Sequence, residues 1–178
     1  MFFKYVIIII LASVCLYTDI KYKKVKNKVL LIFALAGLVF NIVFYGIYGL
    51  ENSLLASLIP FFLLFLLYAI RIMGAGDIKL FSVIGIIGGV NFILNNMLFS
   101  FAAAGIISAF IMVIRKNFIK RIKYFFYYLI RFALSRKVVP YSDFKDDKRG
   151  DKFQFVYGIF IGTIIQIIFK EIASLSFI

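Results

Sequence analysis

Two of the eight acidic residues, Asp19 and Asp77, lie directly beside apolar stretches of the chain. Asp19 follows the apolar run at residues 3–17, and Asp77 precedes a shorter run at residues 80–94. A carboxylate at membrane depth is costly, which makes each one a candidate functional group. Two carboxylates that share a poorly hydrated recess cannot both ionise easily, so the pair holds one proton. The ionised partner could then activate a water, while the protonated partner polarises a peptide carbonyl and protonates the leaving amine.

A purely structural role for the two aspartates is equally compatible with their spacing, because each could cap a helix or pair with a nearby lysine. Other catalytic chemistries are restricted by composition. The chain has no histidine, which excludes histidine-dependent triads and most zinc sites. Its single cysteine, Cys15, cannot form an internal disulfide and is expected to be a small packing residue. We therefore predict no metal and no cofactor.

The elements that must position the aspartates are membrane helices. The chain is 64% hydrophobic with a mean hydropathy of +1.04, more than a soluble domain of 178 residues needs. The pattern predicts an all-α, polytopic membrane protein with about six transmembrane helices, forming a single domain over residues 1–178. Apolar runs occupy residues 3–17, 29–50, 53–70, 80–94, 97–114 and 153–169. The run at 80–94 is too short to span the roughly 30 Å hydrocarbon core, so one of its ends must lie in a recess.

Positive charge alternates between the predicted loops. The first, third and fifth loops are basic, whereas the second and fourth contain Glu51 and asparagines without Lys or Arg. This pattern predicts that both termini are outside and that both aspartates face the cytoplasm. The net charge of +13 is expected to serve topology and contact with anionic headgroups rather than nucleic acid. Within residues 115–152, apolar residues recur at helical spacing, with lysines, arginines and tyrosines between them. This pattern predicts an amphipathic helix in the membrane interface, which either only anchors the bundle or also docks a substrate.

Small and basic residues surround each aspartate. Gly74 and Gly76 precede Asp77, where they allow unusual backbone conformations and leave room for a peptide to approach. Lys79 stands two residues after Asp77 and could hold a backbone carbonyl, the opposite aspartate or only a topology charge. Lys21 stands two residues after Asp19, a spacing at which helix side chains do not face each other.

These segments resemble the two motifs of the prepilin peptidase family of membrane aspartyl proteases. The Gly-x-Gly-Asp-x-Lys pattern is matched at every defined position, from Gly74 to Lys79. The first motif is matched at Asp19, at the basic cluster and at Asn27, but Lys26 stands where the family usually has proline.

The resemblance implies that Asp19 and Asp77 are the catalytic pair and that Gly74, Gly76, Lys79, Lys21 and Asn27 support them. It also implies cleavage of the basic leader of type IV pilin-like precursors, after a glycine, at the cytoplasmic face of a prokaryotic plasma membrane. Family members that also methylate the new amino terminus carry an insertion with paired CxxC motifs. This chain has no such motif, so we predict cleavage without methylation.

Two other classes of function are compatible with the same residues. The acids could form a proton or cation site in a small transporter subunit, although they lie toward one face and no clear internal repeat accompanies them. A non-catalytic assembly scaffold is the other alternative, in which neither aspartate would matter to function. The sequence does not indicate an oligomeric state or the identity of the pilin.

Overall fold

The computed structural model describes residues 2–70, 73–114 and 154–175, and within these ranges every regular element is an α-helix. The helices are α1 (Phe2–Tyr22), α2 (Asn27–Ala69), α3 (Ala75–Gly88), α4 (Val90–Ile114) and α5 (Val156–Leu175). Three of them, α1, α2 and α4, are long and apolar enough to cross a membrane. The all-α prediction is confirmed for the described residues, and the number of membrane crossings stays a prediction. The amphipathic helix expected within residues 115–152 lies outside the described residues.

Helix α2 is a hairpin rather than a straight rod. A continuous helix of its 43 residues would be about 64 Å long, roughly twice the thickness of a hydrocarbon core. Gly46 interrupts it with φ 62° and ψ −144°, a conformation open mainly to glycine. The Asn41 side-chain amide donates a hydrogen bond of 2.8 Å to the Ser53 hydroxyl, although the two residues are 12 positions apart. In a straight helix they would be about 18 Å apart, so the chain reverses between them.

This reversal corrects the predicted boundary between the second and third apolar runs. We expected a loop near Glu51, between residues 50 and 53, but Glu51 lies within α2 and the turn is at Gly46. The sequence on both sides of Gly46 is equally apolar, so hydropathy alone could not locate the reversal.

The prediction of one helix across residues 80–94 is also wrong. Helix α3 ends at Gly88, Gly89 adopts φ 85°, and α4 begins at Val90. The Asn52 side-chain oxygen accepts a hydrogen bond from the Val90 N–H at 3.1 Å, which satisfies a free donor at the start of α4. The two asparagines assigned to the fourth loop, Asn95 and Asn96, therefore lie inside α4.

The helices pack as two closely associated groups. Helix α3 packs mainly on the α2 hairpin, where Gly85 lies directly against the Ala56 backbone. Helix α5 packs mainly on α4 and also on α1, and α1 makes a smaller contact with α3. An aromatic cluster of Phe81, Phe101 and Phe155, with ring centroids 5.1 to 6.3 Å apart, joins α3, α4 and the start of α5.

A buried polar seam runs between α4 and α5. The Asn96 amide donates to the Thr163 hydroxyl at 3.0 Å, and the Gln166 amide donates to the Phe92 carbonyl at 2.9 Å. Gly162 allows this close approach, because a Cβ there would lie only 2.5 Å from the Ser100 backbone. Hydrogen bonds across the two helices, to a side chain for Asn96 and to a backbone carbonyl for Gln166, reduce the cost of burying these amides in an apolar bundle.

Candidate active site

Asp19 lies in the last turn of α1, where the helix ends in a left-handed cap. Lys23 has φ 52°, and its N–H donates to the Asp19 carbonyl at 2.8 Å, which is the hydrogen bond of an αL C-cap. The Gln154 side-chain amide donates to the same carbonyl at 3.3 Å. The Asp19 side chain is buried, with 9% of its surface exposed. The sequence thus places a buried carboxylate at the end of α1, on a backbone carbonyl that accepts two hydrogen bonds.

Asp77 lies in the first turn of α3, three residues after the N-cap Gly74. Its N–H donates to the Gly74 carbonyl at 3.1 Å. At this third helical position a carboxylate can reach back to the N-cap N–H, as in a capping box, and it also benefits from the positive end of the helix dipole. The position of Asp77 is therefore compatible with the helix-capping role considered in the sequence analysis. Its side chain is also partly exposed.

The segments that carry the two aspartates pack against each other. A Cβ added to Gly76 would lie 3.5 Å from the Val25 side chain, which is ordinary van der Waals contact. The Lys79 ammonium donates to the Asn27 side-chain oxygen at 3.3 Å. The structure therefore brings together the two stretches 19–27 and 74–79, although they are separated by most of α2.

Each predicted supporting residue has a definite place. Lys79 contacts Asn27 rather than the backbone carbonyl or opposite aspartate that we considered for it. Lys21 is exposed, and its ammonium lies 5.8 Å from the Tyr17 ring centroid and 5.5 Å from that of Tyr22. Within the described chain, no contact directs Lys21 toward either aspartate.

The electrostatic environment of Asp77 favours its protonated form. Burial raises the pKa of Asp77 from its ordinary value of 3.8 to about 6, while the backbone hydrogen bond from Gly74 opposes that rise. The negative charge of Asp19 raises the Asp77 pKa further. Asp77 lies outside the three candidate spans. The Asp19 charge is the smallest of the three causes, so the pKa of Asp77 depends mainly on the burial of its carboxyl group.

Lys26 preserves the backbone that a proline would impose. It is the N-cap of α2 with φ −76° and ψ 119°, within the range to which a proline ring restricts φ. Although Lys26 replaces the proline of the family pattern, the turn between α1 and α2 keeps a backbone conformation that proline could adopt.

Sequence reasoning missed Gln154 and Val25 as neighbours of the site. Both contacts join segments that are distant in sequence, and neither residue type carries chemistry that marks it in advance. The position of Gln154, near the start of the apolar run at residues 153–169, was the only available signal.

The fold and the site define a helical membrane protein in which the two segments that carry Asp19 and Asp77 pack against each other. The chain belongs to the type IV leader peptidase family, whose model matches residues 6–111 and so includes both Asp19 and Asp77. The predicted family membership is thereby confirmed. No curated protein and no solved structure matched the chain.

Proposed function

We propose that this membrane peptidase uses Asp19 and Asp77 to remove the leader of type IV pilin-like precursors. The observation that carries the proposal is the packing of the two aspartate-bearing segments, through Gly76 on Val25 and Lys79 on Asn27. Family membership supports the general activity, and the packing supports the assignment of the residues.

The proposed mechanism needs only the two carboxyl groups and a water. The pair holds one proton, because ionising both groups in a poorly hydrated site is costly. The ionised carboxylate removes a proton from the water, which attacks the carbonyl carbon of the scissile peptide. The protonated carboxyl hydrogen-bonds to the carbonyl oxygen and then donates its proton to the leaving amine. No metal or cofactor takes part in this scheme, and the absence of a CxxC motif supports cleavage without methylation.

The proposed orientation places the aspartates at the cytoplasmic face. Asp19 is followed by five lysines between residues 21 and 28, and positive residues are retained on the cytoplasmic side. The same lysines would contact anionic headgroups, which draws the site toward the membrane surface. A precursor anchored by its own apolar segment would then present its leader at the level of the two carboxyl groups.

The deciding experiment compares Asp19→Asn and Asp77→Asn with Glu51→Gln, which makes the same chemical change in an exposed residue of α2. Each variant is co-expressed with a tagged precursor that carries a basic leader, and cleavage is followed by gel mobility and amino-terminal sequencing. We expect both aspartate variants to lose activity by at least about a thousandfold while remaining in the membrane fraction. Glu51→Gln should cleave normally.

Wild-type cleavage by either aspartate variant would remove that residue from the mechanism. Inhibition by a chelator would contradict the metal-free scheme, because nothing in the proposed reaction depends on a cation.

A further inference from the structure

Gln154 occupies a firmly held position at the start of α5. Its carbonyl accepts the Tyr157 N–H at 3.2 Å, so Gln154 lies in the turn that leads into the helix. The next residue, Phe155, packs its ring against Phe81 and Phe101. The backbone of Gln154 is therefore fixed both by the helix that follows it and by the aromatic core.

From this position the Gln154 amide reaches the Asp19 carbonyl, 135 residues earlier in the chain. The last carbonyls of a helix have no partner within the helix, so the backbone at this end is the part most prone to fraying. The Lys23 N–H supplies one donor to the Asp19 carbonyl and Gln154 supplies a second. One carbonyl oxygen accepts two hydrogen bonds, which uses both of its lone pairs.

We propose that Gln154 is a positioning residue that fixes the backbone of Asp19 and thereby the direction of its carboxyl group. The inference rests on the proposed function of Asp19, and it extends the functional site beyond the region that matches the family, residues 6–111. Gln154 touches the backbone rather than the reacting groups, so it acts on the reaction only through Asp19. Because a displacement of about 1 Å in a catalytic group can slow a reaction by up to about a hundredfold, a donor at this point has consequences for rate.

The test compares Gln154→Ala and Gln154→Glu with Gln166→Ala. Gln166, in α5, is a matched control, because its amide also donates to a backbone carbonyl, that of Phe92, at 2.9 Å. Cleavage of a purified precursor by each purified full-length variant is measured across pH 5–8, with kcat and KM determined separately. Gln154→Ala should lower kcat by about fivefold, the effect of one neutral hydrogen bond, with little change in KM.

Gln154→Glu provides a readout that loss of packing would not give. An ionised glutamate cannot donate to the Asp19 carbonyl, whereas a protonated one can. The activity of Gln154→Glu relative to wild type should therefore rise as the pH falls toward 5, whereas the relative activity of Gln154→Ala should stay constant. Asp19 and Lys23 are retained in both variants, so a pH effect confined to Gln154→Glu comes from the new carboxyl group.

Unchanged kcat in Gln154→Ala would overturn the inference, as would equal losses in Gln154→Ala and Gln166→Ala. A constant relative activity of Gln154→Glu across the pH range would also overturn the inference, because the hydrogen bond to Asp19 would then have a structural role only. Failure of the underlying proposal is distinguished by Asp19→Asn, since cleavage by that variant would refute the role of Asp19 whatever Gln154 does.

Discussion

Asp77→Asn should make the folded protein more stable at neutral pH while it removes cleavage. The reason is the cost of holding a charged carboxylate at the start of α3, where burial raises the pKa of Asp77 from 3.8 to about 6. A group whose pKa is higher in the folded state binds its proton more tightly there than in the unfolded chain. The resulting stability is fully present below about pH 4 and is lost as the pH rises through about 6.

The size of the effect follows from that change in pKa. A rise of about two in pKa corresponds to roughly 3 kcal/mol in the free energy of unfolding, which the wild-type protein loses between acidic and neutral pH. Asparagine carries no charge, and its side-chain oxygen can still accept the hydrogen bond from Gly74. Asp77→Asn should therefore match wild type near pH 4 and exceed it above pH 7 by up to about 3 kcal/mol.

The assay is thermal unfolding in detergent micelles between pH 4 and 8. For a protein of this size, about 3 kcal/mol corresponds to roughly 6–12 °C in Tm. Glu51→Gln is the control for removing one acidic charge from an exposed position of α2. The reasoning is refuted if Asp77→Asn is less stable than wild type at pH 8, or if its advantage is the same at pH 4 and 8.

Three further predictions concern the scaffold. Lys26→Pro should be accepted with unchanged cleavage and a stability gain of about 0.4–1 kcal/mol, measured as Tm, because the existing φ of −76° suits proline. Gly162→Leu should destabilise by about 1–3 kcal/mol or more by forcing α5 away from α4, whereas Gly105→Leu, where a Cβ meets nothing within 4 Å, should be nearly neutral. Topology reporters inserted after Lys24 and at Gly46 should report opposite sides of the membrane, because the first arm of α2 separates them.

Each of these predictions has an outcome that would contradict it. Loss of cleavage in Lys26→Pro would show that the lysine side chain, rather than the backbone it occupies, matters at the turn. Equal Tm values for the two leucine variants would mean that the contact between α4 and α5 can widen without cost. Reporters on the same side would invalidate the proposed orientation.

The sequence predicted the helical class and both aspartate segments because those depend on local composition and on a short motif. Long apolar runs can satisfy their backbone groups in a membrane only as helices or closed barrels, and runs of this length favour helices. The turn at Gly46 was not predictable in the same way, since its flanks are as apolar as the rest of α2. Its position depends on the pairing of Asn41 with Ser53, which exists only after the hairpin has formed.

Polar residues inside the bundle misled the sequence reasoning for a related reason. Asn96 falls between the apolar runs at residues 80–94 and 97–114, in the predicted fourth loop, yet its side chain is fully buried and donates to Thr163. The cost of burying this amide is offset by a partner on α5 that no local pattern reveals. Gln154 was not predicted for the same reason, because its hydrogen bond to the Asp19 carbonyl joins residues that are distant in sequence.

The division of the bundle into two helix groups has a consequence for how the molecule is made. Asp77 belongs to the group formed by α2 and α3, whereas Asp19 belongs to the group in which α1 packs on α5. Among the described helices, α1 therefore acquires its main neighbour, α5, only after α2, α3 and α4 have been made. Until then Asp19 lacks the packing that α5 provides, so under the proposed function a partly made bundle would not yet cleave a precursor.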